Sequence, residues 1–171
     1  MTVRTTLIAA LLGACVLGVP MASATEALVS TADEDVASNA ANMAILDRFY
    51  IASSIQDEAT IAELLGSAMI WREGKGARLA ERNSDSVAGT VLEAVFGPVA
   101  AHFDDFSASA SLYLPSGSRV VALGSYAGYN RSTGEMLNPG FAHLFVFSEG
   151  RIVYFQQFTD TAPWVAGAAP D

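Results

Sequence analysis

Polar side chains that could do chemistry stand inside two otherwise apolar runs near the end of the chain. Residues 141–147 read FAHLFVF, and residues 152–161 read IVYFQQFTDT. A histidine placed mid-strand between phenylalanines suits a general acid/base or an orienting donor in an apolar pocket. The alternative is a buried, hydrogen-bonded core histidine. His143 is therefore the first candidate catalytic residue.

Two further polar residues follow in the second run. Gln157 would either orient a polar ligand atom or satisfy the hydrogen bonds of His143. Asp160 is a second acid/base candidate, or else it caps a turn formed with its neighbouring threonines. Both readings of each residue stay open from the sequence.

A second group of candidates ends the first predicted strand. Arg72 and Glu73 would bind a carboxylate, or act as a base, at the pocket rim, or else form a surface ion pair. Aromatic residues predicted to touch a ligand, with packing or a dimer interface as the alternative, are Phe49, Trp71, Tyr126 and Phe155. The two histidines are far apart, and no clustered ligand spacing is present, so the sequence predicts no metal site.

The two apolar runs predict a hairpin whose turn contains Gly150. A three-residue loop over residues 148–150 would let Gly150 alone adopt the left-handed conformation. His143 would then pair with Phe155, and both His143 and Gln157 would point to the same side of the sheet. The two faces of the hairpin are largely apolar, so we expect both to be covered, by helices, a partner subunit, or one of each.

The order of elements predicts the fold class. Helical spacing starts near Ser38, Asp57 is placed to cap a second helix, and a third helix follows a polar loop over residues 73–84. After His102 the chain reads as a meander of about four antiparallel strands. This order predicts an α+β fold in which three helices pack on the concave side of a curved antiparallel sheet that forms a cone.

Composition limits the partners. The chain has nine Lys and Arg against eighteen Asp and Glu, and residues 1–24 contribute only Arg4, so residues 25–171 carry a net charge of −10. An acidic surface repels nucleic acid and anionic lipid. No phosphate-binding glycine loop or dinucleotide fingerprint is present, so we expect neither a nucleic-acid partner nor a cofactor.

The N-terminus resembles an export signal. Arg4 precedes an apolar stretch over residues 7–19, and residues 22–24 (ASA) form a small-residue cleavage site. The residues around Cys15 are also similar to a bacterial lipobox, which would anchor the chain to a membrane by lipidation. Cys15 is the one cysteine, so the exported domain would hold no disulfide, which favours a bacterial periplasm or medium. The predicted organisation is a signal peptide (1–24), a flexible leader (25–37), one domain (38–165) and a tail (166–171).

The strand order resembles the nuclear transport factor 2-like superfamily over roughly residues 40–165. The ending, residues 150–161 (GRIVYFQQFTDT), resembles its SnoaL-like, ketosteroid-isomerase-related branch. That branch implies a cone-shaped fold and cofactor-free chemistry on small molecules. Its isomerases use a tyrosine on the first helix, an aspartate after the first strand as base and a protonated aspartate on a later strand. Those positions fall on Phe49, Arg72 and His143, and none matches, so the isomerase mechanism itself is not expected.

The resemblance leaves two hypotheses. One is an exported domain with a small, mostly apolar pocket that binds a small apolar or cyclic molecule and catalyses isomerisation, cyclisation or hydration. SnoaL-like cyclases resemble this chain in placing an acid/base aspartate near Asp160. The alternative is a non-catalytic binding or interaction module whose cone is filled by phenylalanine side chains. A homodimer through the outer sheet face is expected in either case.

Overall fold

The computed structural model describes residues 21–74 and 86–165, with side chains over residues 35–74 and 90–164. Residues 1–20, 75–85 and 166–171 lie outside it, and with them most of the predicted signal peptide, the polar loop and the tail. The helices are α1 (Met21–Ser54), α2 (Glu58–Leu64), α3 (Ala88–Val91), α4 (Gly97–His102) and α5 (Ala162–Val165), and a π-helical segment (Leu92–Phe96) joins α3 to α4. The strands are β1 (Leu65–Arg72), β2 (Ser86–Val87), β3 (Phe103–Ser116), β4 (Arg119–Asn130), β5 (Met136–Leu137), β6 (Gly140–Ser148) and β7 (Arg151–Thr159).

The strands form one curved, unclosed sheet in the order β2-β1-β7-β6-β4-β3, with β5 paired to β4. All described pairs are antiparallel except β1 with β7, which is parallel. The predicted antiparallel sheet is therefore mixed at this one pair. The predicted α+β class, with helices packed on a curved sheet, is confirmed.

The tip of the β6–β7 hairpin differs from the prediction. Glu149 and Gly150 make a two-residue turn, and both have positive φ, at 52° and 71°. A bulge follows, because Phe147 pairs with Ile152 but Val146 pairs with Tyr154, which leaves Val153 without a partner. The predicted three-residue loop was wrong because it excluded positive φ at Glu149.

The bulge decides what faces His143. His143 pairs directly with Gln157, rather than with Phe155 as predicted. The pairing is displaced by two residues, and side chains alternate with a period of two, so each residue keeps its face. Both His143 and Gln157 are buried, and the predicted shared side of the sheet is confirmed.

Helix α1 covers the inner face of the sheet. Its stripe of Leu46, Phe49 and Tyr50 is buried, and it contacts mainly β3 and α2. The helix begins at Met21, so the predicted flexible leader over residues 25–37 is helical instead. Small residues such as alanine favour helix even without an apolar stripe. Asp57 accepts a hydrogen bond from the backbone N–H of Thr60 at 3.0 Å, so its predicted role as N-cap of α2 is confirmed.

The outer face of the sheet has no helix over it in the described part of the chain. Phe158 and Ile70 are exposed, and the outward residues of β6, such as Leu144, are half-buried. Apolar side chains on this face set it apart from an ordinary solvated sheet surface.

Candidate functional site

Four side chains on four different elements form a continuous hydrogen-bonded relay inside the cone. The backbone N–H of Gly74 donates to Gln157 Oε1 at 2.9 Å, and Gln157 Nε2 donates to Tyr126 Oη at 2.6 Å. Tyr126 Oη lies 2.6 Å from His143 Nε2, and His143 Nδ1 lies 2.9 Å from Tyr50 Oη. Strands β4, β6 and β7 and helix α1 thus meet at one imidazole.

The imidazole of His143 is neutral. Its ring stacks on Phe141 with 3.8 Å between ring centroids and meets the edge of Phe155 at 4.9 Å. Burial among these rings lowers the pKa of His143 from 6.5 to about 3, because desolvation disfavours the charged form. A neutral imidazole has one N–H and one bare nitrogen, so it donates to one phenol and accepts from the other.

The two phenols are protonated for the same reason. Burial raises the pKa of Tyr50 and of Tyr126 far above the ordinary value of 10. The negative charge of Glu73 raises the pKa of Tyr126 further, while the hydrogen bond from Gln157 lowers it. Both side chains are therefore hydrogen-bond donors at any physiological pH.

Glu73 brings a carboxyl group to the same space. It follows the last residue of β1, and it accepts a hydrogen bond from Trp71 Nε1. Burial raises the pKa of Glu73 from 4.5 to about 7, and the bond from Trp71 only partly opposes this rise. No lysine or arginine pairs with Glu73 among the described residues. A carboxyl that titrates near pH 7 is suited to take up and return a proton.

These groups line one cavity of about 70 Å³. Its polar walls are Tyr50, Glu73, Tyr126, His143 and Gln157, and the rest is mostly apolar. The apolar and aromatic lining includes Phe49, Trp71, Val95, Phe96, Val99, Phe106, Phe155 and Trp164. The indole Nε1 of Trp164 is buried without a partner in the described structure. Buried N–H groups are nearly always paired, so this one is a donor without an assigned acceptor.

Most of the residues predicted to form a site come together here. Phe49, Trp71, Tyr126, His143, Phe155 and Gln157 all line the cavity. Their roles in binding or catalysis stay predictions. Gln157 does not bond His143 directly, since its amide reaches the imidazole only through Tyr126, and its predicted contact with a ligand atom stays a prediction.

Arg72 and Asp160 lie elsewhere, which corrects their predicted placement. Arg72 is exposed, and its guanidinium lies 5.8 Å from the ring of Tyr154 on the outer face, because consecutive strand residues point to opposite sides. Asp160 is exposed, and its Oδ1 accepts a hydrogen bond from Ala162 N at the start of α5, 3.0 Å away. Asp160 thus adopts the capping alternative.

Sequence reasoning missed Tyr50 and underrated Glu73. Tyr50 follows Phe49 on the first helix and lines the same cavity, and Glu73, which follows Arg72 at the end of β1, lines the cavity where Arg72 does not. Strand alternation held the signal for Glu73, because an inward Trp71 places residue 73, not residue 72, on the inner side.

The described residues hold no cluster of side chains that could ligate a metal, and no described helix is long and apolar enough to cross a membrane.

Comparisons with known proteins identify the fold. A nuclear transport factor 2-like (NTF2-like) protein from Burkholderia thailandensis matches with a TM-score of 0.66 and 28% identity, over 74% of this chain and 95% of its own. IdmH, a candidate polyketide cyclase from Streptomyces antibioticus, matches with a TM-score of 0.63 and 19% identity, over 72% of this chain and 95% of its own.

AclR, a candidate hydroxylase from Streptomyces galilaeus, matches with a TM-score of 0.62 and 13% identity, over 78% of this chain and 89% of its own. No protein-family model matches the chain, and no curated protein matches it significantly in sequence.

Proposed function

We propose that this chain, a domain of the nuclear transport factor 2-like superfamily, binds a small, mostly apolar carbonyl compound and moves a proton on it without a cofactor. One observation carries the proposal: a carboxyl group with a pKa near 7 and two protonated phenols line the same apolar cavity. A base and hydrogen-bond donors in one mostly apolar space are the parts that enolisation requires.

The chemistry follows from the charges of these groups. Ionised Glu73 takes a proton from the carbon next to the carbonyl. The electron pair of that C–H bond forms a C=C bond, and the π pair of the C=O bond moves onto the oxygen. A phenol O–H from Tyr50 or Tyr126 donates to the enolate oxygen and stabilises the charge that develops there. Return of the proton from Glu73 to another carbon completes an isomerisation. Attack of the enolate on a second carbonyl of the same molecule would give a cyclisation.

The size of the cavity limits the substrate. Pockets for drug-sized ligands measure about 300–1,000 Å³, whereas this one measures about 70 Å³. The substrate is therefore small, with few atoms beyond the carbonyl, unless aromatic side chains move on binding.

The test is deuterium exchange into a ketone. Acetone and cyclopentanone are incubated with the protein in D₂O near neutral pH, and loss of their α-proton signals is followed by ¹H NMR. We expect exchange above the buffer rate with the wild type and at least tenfold less with Glu73→Gln, which keeps the shape but cannot act as base. Glu63→Gln is the matched control, because Glu63 lies on the surface in an ion pair with Arg48. Equal exchange in all three proteins contradicts the proposal.

A second candidate function is supported by the packing. Phe145 and Phe155 are fully buried, and little open volume remains beside them. The alternative is a non-catalytic binding or interaction module whose cone is filled by its own side chains. Absence of both exchange and ketone-induced chemical shifts at the two tryptophan indoles would favour this module.

A homodimer and export are proposed as well. The uncovered apolar face with Phe158 and Leu144 suits a second copy of the chain, and we expect Phe158→Glu to convert a dimer to a monomer in sedimentation velocity.

The apolar stretch before residue 24 suits export to a bacterial periplasm or medium. Mass spectrometry of the expressed protein would then find Thr25 at the N-terminus, or a lipid on Cys15 in the lipoprotein alternative.

A further inference from the structure

The direction of the relay is fixed at one end only. Gly74 offers a backbone N–H, so the amide atom of Gln157 that faces it must be the oxygen. Gln157 Nε2 therefore faces Tyr126 and donates to its hydroxyl oxygen. One lone pair of Tyr126 Oη is occupied in every arrangement, while its own proton remains free to turn.

The neutral imidazole allows two arrangements beyond Tyr126. In the first, Tyr126 donates to His143 Nε2, His143 Nδ1–H donates to Tyr50, and the hydroxyl proton of Tyr50 is left over. In the second, Tyr50 donates to Nδ1, Nε2–H donates to Tyr126, and the hydroxyl proton of Tyr126 is left over. Each arrangement contains the same four hydrogen bonds, and each leaves one buried phenol proton without an acceptor among the described residues.

We infer that His143 is a positioning residue whose tautomer decides whether Tyr50 or Tyr126 donates its proton into the cavity, and that a bound carbonyl oxygen selects one tautomer. The inference deepens the proposed function and rests on it for the identity of the ligand. It assigns the ligand class more narrowly: the ligand carries an acceptor oxygen, because one phenol proton is left over in both arrangements.

The two tautomers of His143 make the same number of hydrogen bonds, which supports a relay that exchanges between two arrangements. A buried polar hydrogen without a partner is unfavourable, so the empty site gains from any acceptor that reaches it. The two phenols approach the imidazole from opposite nitrogens, so they serve different positions in the cavity. A ligand whose acceptor lies at one of these positions binds one tautomer, and only differential affinity of that kind shifts an equilibrium.

The experiment reads the tautomer directly. Long-range ¹H–¹⁵N NMR of ¹⁵N-labelled protein distinguishes a ring nitrogen that carries hydrogen from one that does not. The chain has two histidines, and His102 is an internal control, since its Nδ1 lies 2.7 Å from the carbonyl oxygen of Pro98 and must be the protonated nitrogen. In the empty protein we expect both nitrogens of His143 to have intermediate shifts. A single fixed tautomer of His143 overturns the inference.

Ligand addition gives the second arm. We expect saturating cyclopentanone to move the ¹⁵N chemical shifts of the two His143 nitrogens in opposite directions, toward the values of a single tautomer. Cyclopentane, which lacks the acceptor, should leave these shifts unchanged. The tautomer shift should persist in Glu73→Gln, where proton abstraction is lost. Binding of cyclopentanone is judged from the tryptophan indole signals. If it binds and the ¹⁵N chemical shifts of His143 do not change, the inference is wrong.

The experiments distinguish failure of the proposed catalysis from failure of the inferred role of His143. If a ketone shifts the His143 tautomer but no α-proton exchange occurs, the proposed catalysis is wrong and the inferred role of His143 is still supported. Exchange that persists in a folded His143→Gln variant at an unchanged rate contradicts the positioning role. We expect that variant to retain ketone binding, because its amide still bridges the phenols, but to lose at least tenfold in kcat with a smaller change in KM.

Discussion

The pH dependence of stability tests the environment of Glu73 without any knowledge of a substrate. Burial raises the pKa of Glu73 from 4.5 in the unfolded chain to about 7, so the folded state holds the proton more tightly. The stabilisation from this proton is fully present below pH 4.5 and is lost as the pH rises through 7. Above pH 7 the ionised carboxylate stays in the apolar wall and destabilises the fold.

The magnitude follows from the two pKa values. Each tenfold change in proton affinity corresponds to about 1.4 kcal/mol, so a rise from 4.5 to about 7 amounts to about 3 kcal/mol, most of it lost between pH 5 and pH 8. Glu73→Gln keeps an acceptor for Trp71 Nε1 but never carries charge. We therefore expect the variant to match the wild type near pH 5 and to exceed its free energy of unfolding by about 2–3 kcal/mol at pH 8.

Urea unfolding of both proteins at pH 5 and pH 8 provides the measurement. The wild type alone is not sufficient, because the pKa of His143 falls from 6.5 to about 3 on folding. That change gives stability that is present above pH 6.5 and is lost as the pH falls toward 3. His143 is the same in both proteins, so its effect cancels in their difference. A difference that is the same at both pH values would refute the raised pKa of Glu73, and Glu63→Gln should show no such pH-dependent difference.

Three other predictions concern the same structure. Gly124→Ala should destabilise the protein by about 3 kcal/mol or more in urea unfolding, because a Cβ there would overlap the carbonyl oxygen of Ser109 and lie 2.9 Å from Ala110 Cα; Gly140→Ala, whose Cβ would lie at an ordinary contact distance of 3.7 Å from the carbonyl oxygen of Gly124, is the control and should change little. Trp164→Ala should cost about 3–5 kcal/mol by opening the cavity wall, whereas Trp164→Phe, which removes only the unpaired N–H and part of the ring, should cost less than half as much; equal losses would contradict the account. The exchange rate of ketone α-protons should rise tenfold per pH unit below pH 7 and level off above it, and a flat profile would exclude Glu73 as the base.

The sequence determined the class of fold and the side of the sheet on which the key residues lie. Apolar alternation in the last two strands placed His143 and Gln157 on one face. This prediction was correct although the predicted turn was wrong, because a register error of two residues leaves every side chain on the same face. The helical stripe of α1 and the cap at Asp57 were readable for a similar reason: both are local patterns with a fixed spacing.

Tertiary structure decided which residues form the site. The bulge at Val153 and the turn at Glu149 set His143 opposite Gln157, and neither is encoded by periodicity. Tyr50 and Tyr126 reach the imidazole from elements 93 and 17 residues away in sequence, so no local pattern connects them. The pKa of Glu73 depends on what surrounds it in three dimensions. Local spacing fixes the direction of a side chain, but only packing between distant segments fixes its neighbours, and the chemistry of a buried group depends on those neighbours.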